Sequence, residues 1–231
     1  QFGAAVRDVV ATVWGLPARL RRDRNAALFL LARMIYADGA AALTIFGAVV
    51  TAGVLRWTPS ELLTAGLLRA IGATAGAVAG GALNVWIGPK RSLQLGLVAI
   101  TLSMLVLVGT DMTRIAFFWP YTAPAETSAM FQTLPDKVHL GLGLLITACI
   151  LLIATSSRSL LAHITAPAET GAYFGLYALA GTATAWLAPM LVEWATNAFS
   201  NQQAGVAPII GMFVVGLVLL AAVRPTAPEA A

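Results

Sequence analysis

Six apolar stretches constrain this chain more than any other feature: residues 25–55, 61–87, 92–109, 139–163, 171–195 and 205–223. A bilayer core of ~30 Å is crossed by roughly 20 helical residues, and each stretch is about that long or longer. Helices are expected rather than strands, because the runs are continuous and backbone groups in lipid must be paired within the segment. Proline and turn residues separate the runs: RWTPSE at 56–61, GPKRS at 88–92, TAPAET at 165–170 and NAFSNQQAG at 197–205. Only 10% of the residues are charged and 59% are hydrophobic, whereas a soluble domain carries about 25% charged residues. That is too little polar material to coat a globule. The expected fold class is an all-α integral membrane protein with six transmembrane helices.

The charge has a sidedness. The pI is near 9.7, yet the basic residues cluster at the ends of apolar runs and form no stripe for nucleic acid. With the N-terminus placed in the cytoplasm, that side holds Arg7, Arg19, Arg21, Arg22, Arg24, Lys90, Arg91, Arg158 and Arg224. The outer side holds Arg56, Arg114 and Lys137, which satisfies the positive-inside rule with both termini cytoplasmic. Residues 1–24 repeat apolar side chains at helical spacing (Phe2, Val6, Val9, Val10, Val13, Trp14) and end in RLRRDR. They read as an amphipathic helix on the membrane surface, or alternatively as a basic linker. The segment 110–138 reads as an extracytoplasmic loop whose FFWPY at 117–121 suits headgroup level. Residues 224–231 form a short tail. The chain begins at Gln1 and carries no signal-peptide pattern, so a trimmed or partial chain is expected.

Charges inside the membrane are the candidate site. Asp38 lies ~20 Å along the first helix, and Arg69 ~12 Å in from the outer end of the second. A charge at the membrane centre costs at least ~2.5–3.5 kcal/mol on insertion scales, so both are expected to face a polar interior, close enough to feel one another. Asp38 then reads either as a proton or substrate-amine site or as half of a fixed structural pair with Arg69. Arg33 is five residues from Asp38, about 140° around the helix, and is expected nearer the cytoplasmic gate. Tyr36 reads as a packed or gating aromatic. These four residues are the expected cavity set.

Gly72, Gly76 and Gly80 form a doubled Gly-x-x-x-Gly stripe, which lets another helix approach closely. It reads as an interdomain or dimer face. His139 and His163 lie ~36 Å apart on one helix and cannot share a metal. Arg158 reads as a headgroup or loop contact, and Glu193 as interfacial. The single Cys149 allows no intrachain disulfide. No Ser-His-Asp set or phosphate-binding loop is present, so no enzymatic activity, nucleotide, metal or other cofactor is expected.

The turn GGALNVWIGPKRSL at 80–93 resembles the loop motif of the major facilitator superfamily, with Gly81, Leu83, Gly88, Lys90 and Arg91 matching. FLLARMIYADG at 29–39 and SSRSLLAHITAPAETGAYFGLYALAGTATAWLAPML at 156–191 resemble the C-terminal half of the bacterial branch related to the yeast vacuolar amino-acid effluxer. Val85 and Trp86 stand where the loop motif carries Asp and Arg, and Thr182 stands where that branch usually has Lys. The resemblance implies half of a transporter: two inverted three-helix repeats, 25–109 and 139–223, joined by the outer loop, in a bacterial inner membrane. It implies export of a small polar metabolite, amino acids included, by alternating access, with proton coupling as a hypothesis. The lost loop residues leave a second reading, a transport-inactive half that serves as an assembly module. Either way one wall of a cavity is missing. The expected partners are membrane lipids, a small-molecule substrate, and either the N-terminal half or a second copy in a homodimer.

Overall fold

The computed structural model describes residues 23–122, 130–167, 169–200 and 202–224. The amphipathic segment and the C-terminal tail expected from the sequence lie outside these, apart from Asp23, Arg24 and Arg224. The elements are helices α1 (Arg24–Leu55), α2 (Pro59–Trp86) and α3 (Pro89–Val108), strands β1 (Arg114–Ile115) and β2 (Trp119–Pro120), then helices α4 (Leu134–Ile164), α5 (Thr170–Ala180), α6 (Leu187–Phe199) and α7 (Gln202–Ala222). Five of them, α1 to α4 and α7, are long and apolar enough to cross a membrane.

Local chemistry sets most of these boundaries. Asp23 caps α1 by accepting the backbone N–H groups of Asn25 and Ala26 at 3.1 and 3.0 Å. Reciprocal Thr58–Glu61 and Thr133–Asp136 capping boxes start α2 and α4, each followed by a proline in the first turn. Gly88, at φ +83°, reverses the chain between α2 and α3. The turn there is shorter than the loop motif implies: Gly81, Val85 and Trp86 all lie within α2, which leaves only Ile87 and Gly88 to connect the helices. The outer segment is also shorter than expected, because Pro135 and the capping box begin α4 ahead of residue 139.

The fifth apolar run departs most from expectation. It is not one helix but two, α5 and α6, with turns over 181–186 between them. Pro189 sits in the first turn of α6, where its missing N–H is harmless. In a continuous helix its ring would crowd the carbonyl of Ala185. Gly181 and the backbone-bonding hydroxyl of Thr182, 3.2 Å from the Leu179 carbonyl, end α5 just before it.

The glycine stripe of α2 is covered within the chain. A Cβ on Gly72 would stand 2.8 Å from the Leu144 carbonyl, and one on Gly80 would stand 3.1 Å from the Leu152 Cα. One on Gly76 would collide with the Ala148 backbone. Gly72, Gly76 and Gly80 are therefore the seat of α4, not the interdomain or dimer face expected from the sequence. The physical basis is the one anticipated, close backbone approach without side chains, but the partner is intramolecular. α1 packs mainly on α7, and α4 on both α2 and α3.

Two sets of polar contacts tie the helix ends. At one end, Asn25 donates to the Arg224 carbonyl and accepts from its N–H, both at 2.7 Å. Lys90 there donates to the Ala221 and Val223 carbonyls at the C-terminus of α7, a favourable place for a cation. At the opposite end the buried Trp57 indole donates to Asp136 at 2.8 Å and meets Phe131 edge-on. The β1–β2 hairpin lies at this second end, with Phe117, Phe118 and Trp119 exposed. Asp111 braces it. Partial burial pushes its carboxyl upward, but hydrogen bonds from Thr113 and the Arg114 N–H, with the Arg114 charge, outweigh this and hold it below the usual carboxylate range.

Two outcomes follow. Gly76→Val should force α2 off α4 and lower the detergent melting midpoint by an amount corresponding to about 1–3 kcal/mol, whereas Gly81→Ala, with nothing within 4 Å of the new Cβ, should leave it unchanged. Because the folded Asp111 pKa is depressed, its contribution is present above the unfolded value of about 4 and lost as pH falls through the folded one. Hydrogen exchange of the Arg114 amide should stay slow at neutral pH and accelerate, relative to the intrinsic rate, only below about pH 4.

Candidate functional site

The four charged and aromatic candidates occupy two places, not one. Arg33, Tyr36 and Asp38, all on α1, attach that helix to the broken segment and to α4. Asp38 is 2% exposed, and its carboxylate accepts the Ala188 N–H at 3.2 Å. Ala188 is in the first turn of α6, so the carboxylate sits where a helix offers unpaired donors and positive potential. Arg33 does the converse at the end of α5. Its guanidinium carbon lies 3.4 Å from the centre of the Tyr177 ring. A Cβ on Gly181, the residue that caps α5, would stand 2.8 Å from Arg33 Nη1. One helix thus presents a cation to the C-terminus of α5 and an anion to the N-terminus of α6. The five-residue spacing, ~7.5 Å of rise, spans the break. Between them, Tyr36 Oη and Ser157 Oγ of α4 share a buried 2.7 Å hydrogen bond.

Arg69 lies elsewhere. After the turn at 56–58, α1 and α2 barely touch again, and a cavity of about 320 Å³ occupies the wedge between them. Its mouth is marked by the exposed Thr44, Ala48, Gly66 and Ala70, and its floor by α3, α4 and α7. Arg69 and His139 both line it. A Cβ on Gly143 would stand 2.7 Å from Arg69 Nε, so the guanidinium rests on bare α4 backbone. That Nε is buried and has no hydrogen-bond partner. The expected approach of Asp38 and Arg69 is therefore not made: Asp38 bonds α6, and Arg69 lies against α4 on the hairpin side. Counting residues along each helix did not bring them together: Tyr36, two residues from Asp38, meets Ser157 on α4, whereas Arg69 meets Gly143 much nearer the hairpin end.

The remaining expectations resolve as follows. Gly88 is the turn residue described above, and Lys90 reaches the end of α7. Arg91, Arg158 and Glu193 are exposed. His139 is buried with Nδ1 3.3 Å from the Pro135 carbonyl, and His163 is exposed at the other end of α4. Among the described residues no cluster of His, Cys, Asp and Glu is suited to a metal. Sequence reasoning missed Gly143 and Gly181, whose role is to leave room for an arginine. The available signal was a glycine at membrane depth with no partner in a packing stripe.

Removing the Asp38 carboxylate should uncap α6. Asp38→Ala leaves a buried N–H unpaired and should cost about 1–3 kcal/mol in a denaturation assay in detergent. Asp38→Asn keeps an acceptor and should lose distinctly less.

A long apolar helix set, a broken segment clasped by charges and a cleft holding an unpaired cation at membrane depth form a constellation suited to moving a solute across a membrane. No curated protein matches the chain. A family model described as vacuole effluxer Atg22 like matches residues 3–226, and the chain belongs to that major facilitator-type family of transporters.

Proposed function

We propose that this chain is the C-terminal six-helix half of a secondary active transporter that exports a small polar metabolite by alternating access. The resemblance to the yeast effluxer puts amino acids among the candidate metabolites, and Arg69 in the cleft favours those that carry a carboxylate. The observation that carries the reading is the cleft between α1 and α2 with the unpaired Arg69 guanidinium on its floor. An ionised group at that depth is expensive, and its usual justification is a solute or ion pathway. In this reading α5 and α6 together make the fifth crossing, and α1–α3 and α4–α7 are the two inverted repeats. Both chain ends face the cytoplasm of a bacterial inner membrane. The open side of the cleft is covered by the N-terminal half of the same transporter or by a second copy. Asp38 is the coupling group: protonation would weaken its hold on α6 and free the break to move.

A second reading, a transport-inactive assembly module, draws on one observation. Val85 and Trp86, at the loop-motif positions for Asp and Arg, are 83% and 81% exposed and bond nothing across the turn end.

Native mass spectrometry from mild detergent separates the covers: a dimer is expected if a second copy closes the cleft, a monomer if a separate half does. In proteoliposomes holding the assembled form, wild-type flux of labelled metabolites should respond to an imposed pH gradient, and Asp38→Asn should abolish that response. Unchanged coupling in the variant would remove Asp38 from the mechanism. No Arg69-dependent flux from the assembled form would favour the inactive module.

A further inference from the structure

The cleft also carries information about what it holds, and this inference rests on reading it as the transport site. Its described lining contains one full cation, Arg69, and no aspartate or glutamate. The other polar side chains are those of Thr44, Thr51, Thr147, Gln203 and His139, and the remainder is apolar. All five already meet backbone carbonyls: Thr44 donates to Ala40, Thr51 to Gly47, Thr147 to Gly143 and Gln203 to Thr110, and His139 Nδ1 lies 3.3 Å from the Pro135 carbonyl. Arg69 has a buried Nε without a partner, and Gly143 holds the guanidinium in place by being bare. Asp38, the nearest membrane-depth acid on α1, is committed to α6 and does not line the cleft.

We infer that the cleft takes a small monoanion with an apolar body, a branched or short-chain carboxylate, in preference to a zwitterion of the same skeleton. The guanidinium fork supplies paired donors to a carboxylate. The walls accept the hydrocarbon. An α-ammonium brought in with it would meet a second cation, Arg69, and no acid in the described lining, and an unpaired buried charge is strongly disfavoured. The size agrees: about 320 Å³ is at the small end for ligand cavities, too little for a diacyl lipid.

The test uses the full chain in lipid nanodiscs and three probes of one skeleton: 4-methylpentanoate, leucine, and 3-methylbutylamine, with oleate as a lipid-like competitor. Equilibrium binding should show 4-methylpentanoate at least about tenfold tighter than leucine, and the amine not bound. Arg69→Gln should abolish the binding. Gly143→Ala retains the guanidinium but displaces it, and should weaken binding if Arg69→Gln proves unfolded. Leucine binding as tightly as the desamino acid, with Arg69 dependence, would overturn the inference and leave the transport reading standing, as would preference for the amine. Oleate binding in place of the short acid would make the cleft a lipid site and overturn both. So would the absence of Arg69-dependent binding by any probe.

Discussion

A break in a helix leaves backbone groups without their helical partners on both sides, and the α5–α6 segment has such a break. The hydrogen bond from the Ala188 N–H to Asp38 answers that problem at one side of the break. At the other side the Arg33 guanidinium lies beside Gly181, with its Nε and Nη1 making no hydrogen bond. Each charge has the sign that suits the helix end it faces, an anion at an N-terminus and a cation at a C-terminus, and the anion also accepts a hydrogen bond there. Opposed half-helix dipoles also let one straight helix, α1, hold both pieces in register without an ion pair between side chains.

The same helix forms one wall of the cleft, so the break and the cavity share a mechanical element. Tyr36 ties α1 to α4 through Ser157, and α4 is the floor on which Arg69 rests. A movement of α6 away from Asp38 changes what holds α1, and α1 faces the cleft. Only the α6 terminus is bonded to the Asp38 carboxylate; the α5 terminus faces Arg33.

Glycine does different work on the facing helices. Along α2, Gly72, Gly76 and Gly80 bring backbones together. On α4 and at the end of α5, Gly143 and Gly181 make room for guanidinium groups instead. Small residues in a membrane helix therefore mark either a helix seat or a side-chain berth, and only the identity of the neighbour tells which.

The apolar run lengths, the capping boxes at Thr58 and Thr133 and Gly88 at the turn all follow from sequence alone, because each depends on local periodicity or on a residue's own backbone preference. The division of the fifth run was only half legible: Gly181 and Pro189 were visible, but nothing local decides whether a membrane helix kinks or breaks. In the structure the break is met by α1, whose Asp38 carboxylate bonds the first turn of α6. The separation of Asp38 from Arg69, and the seating of the glycine stripe on α4 rather than on another chain, were decided by tertiary structure. Position along a helix is a one-dimensional quantity that sequence supplies. The rotation of each helix about its axis is set by side chains packed from every neighbour at once, and no single segment contains it.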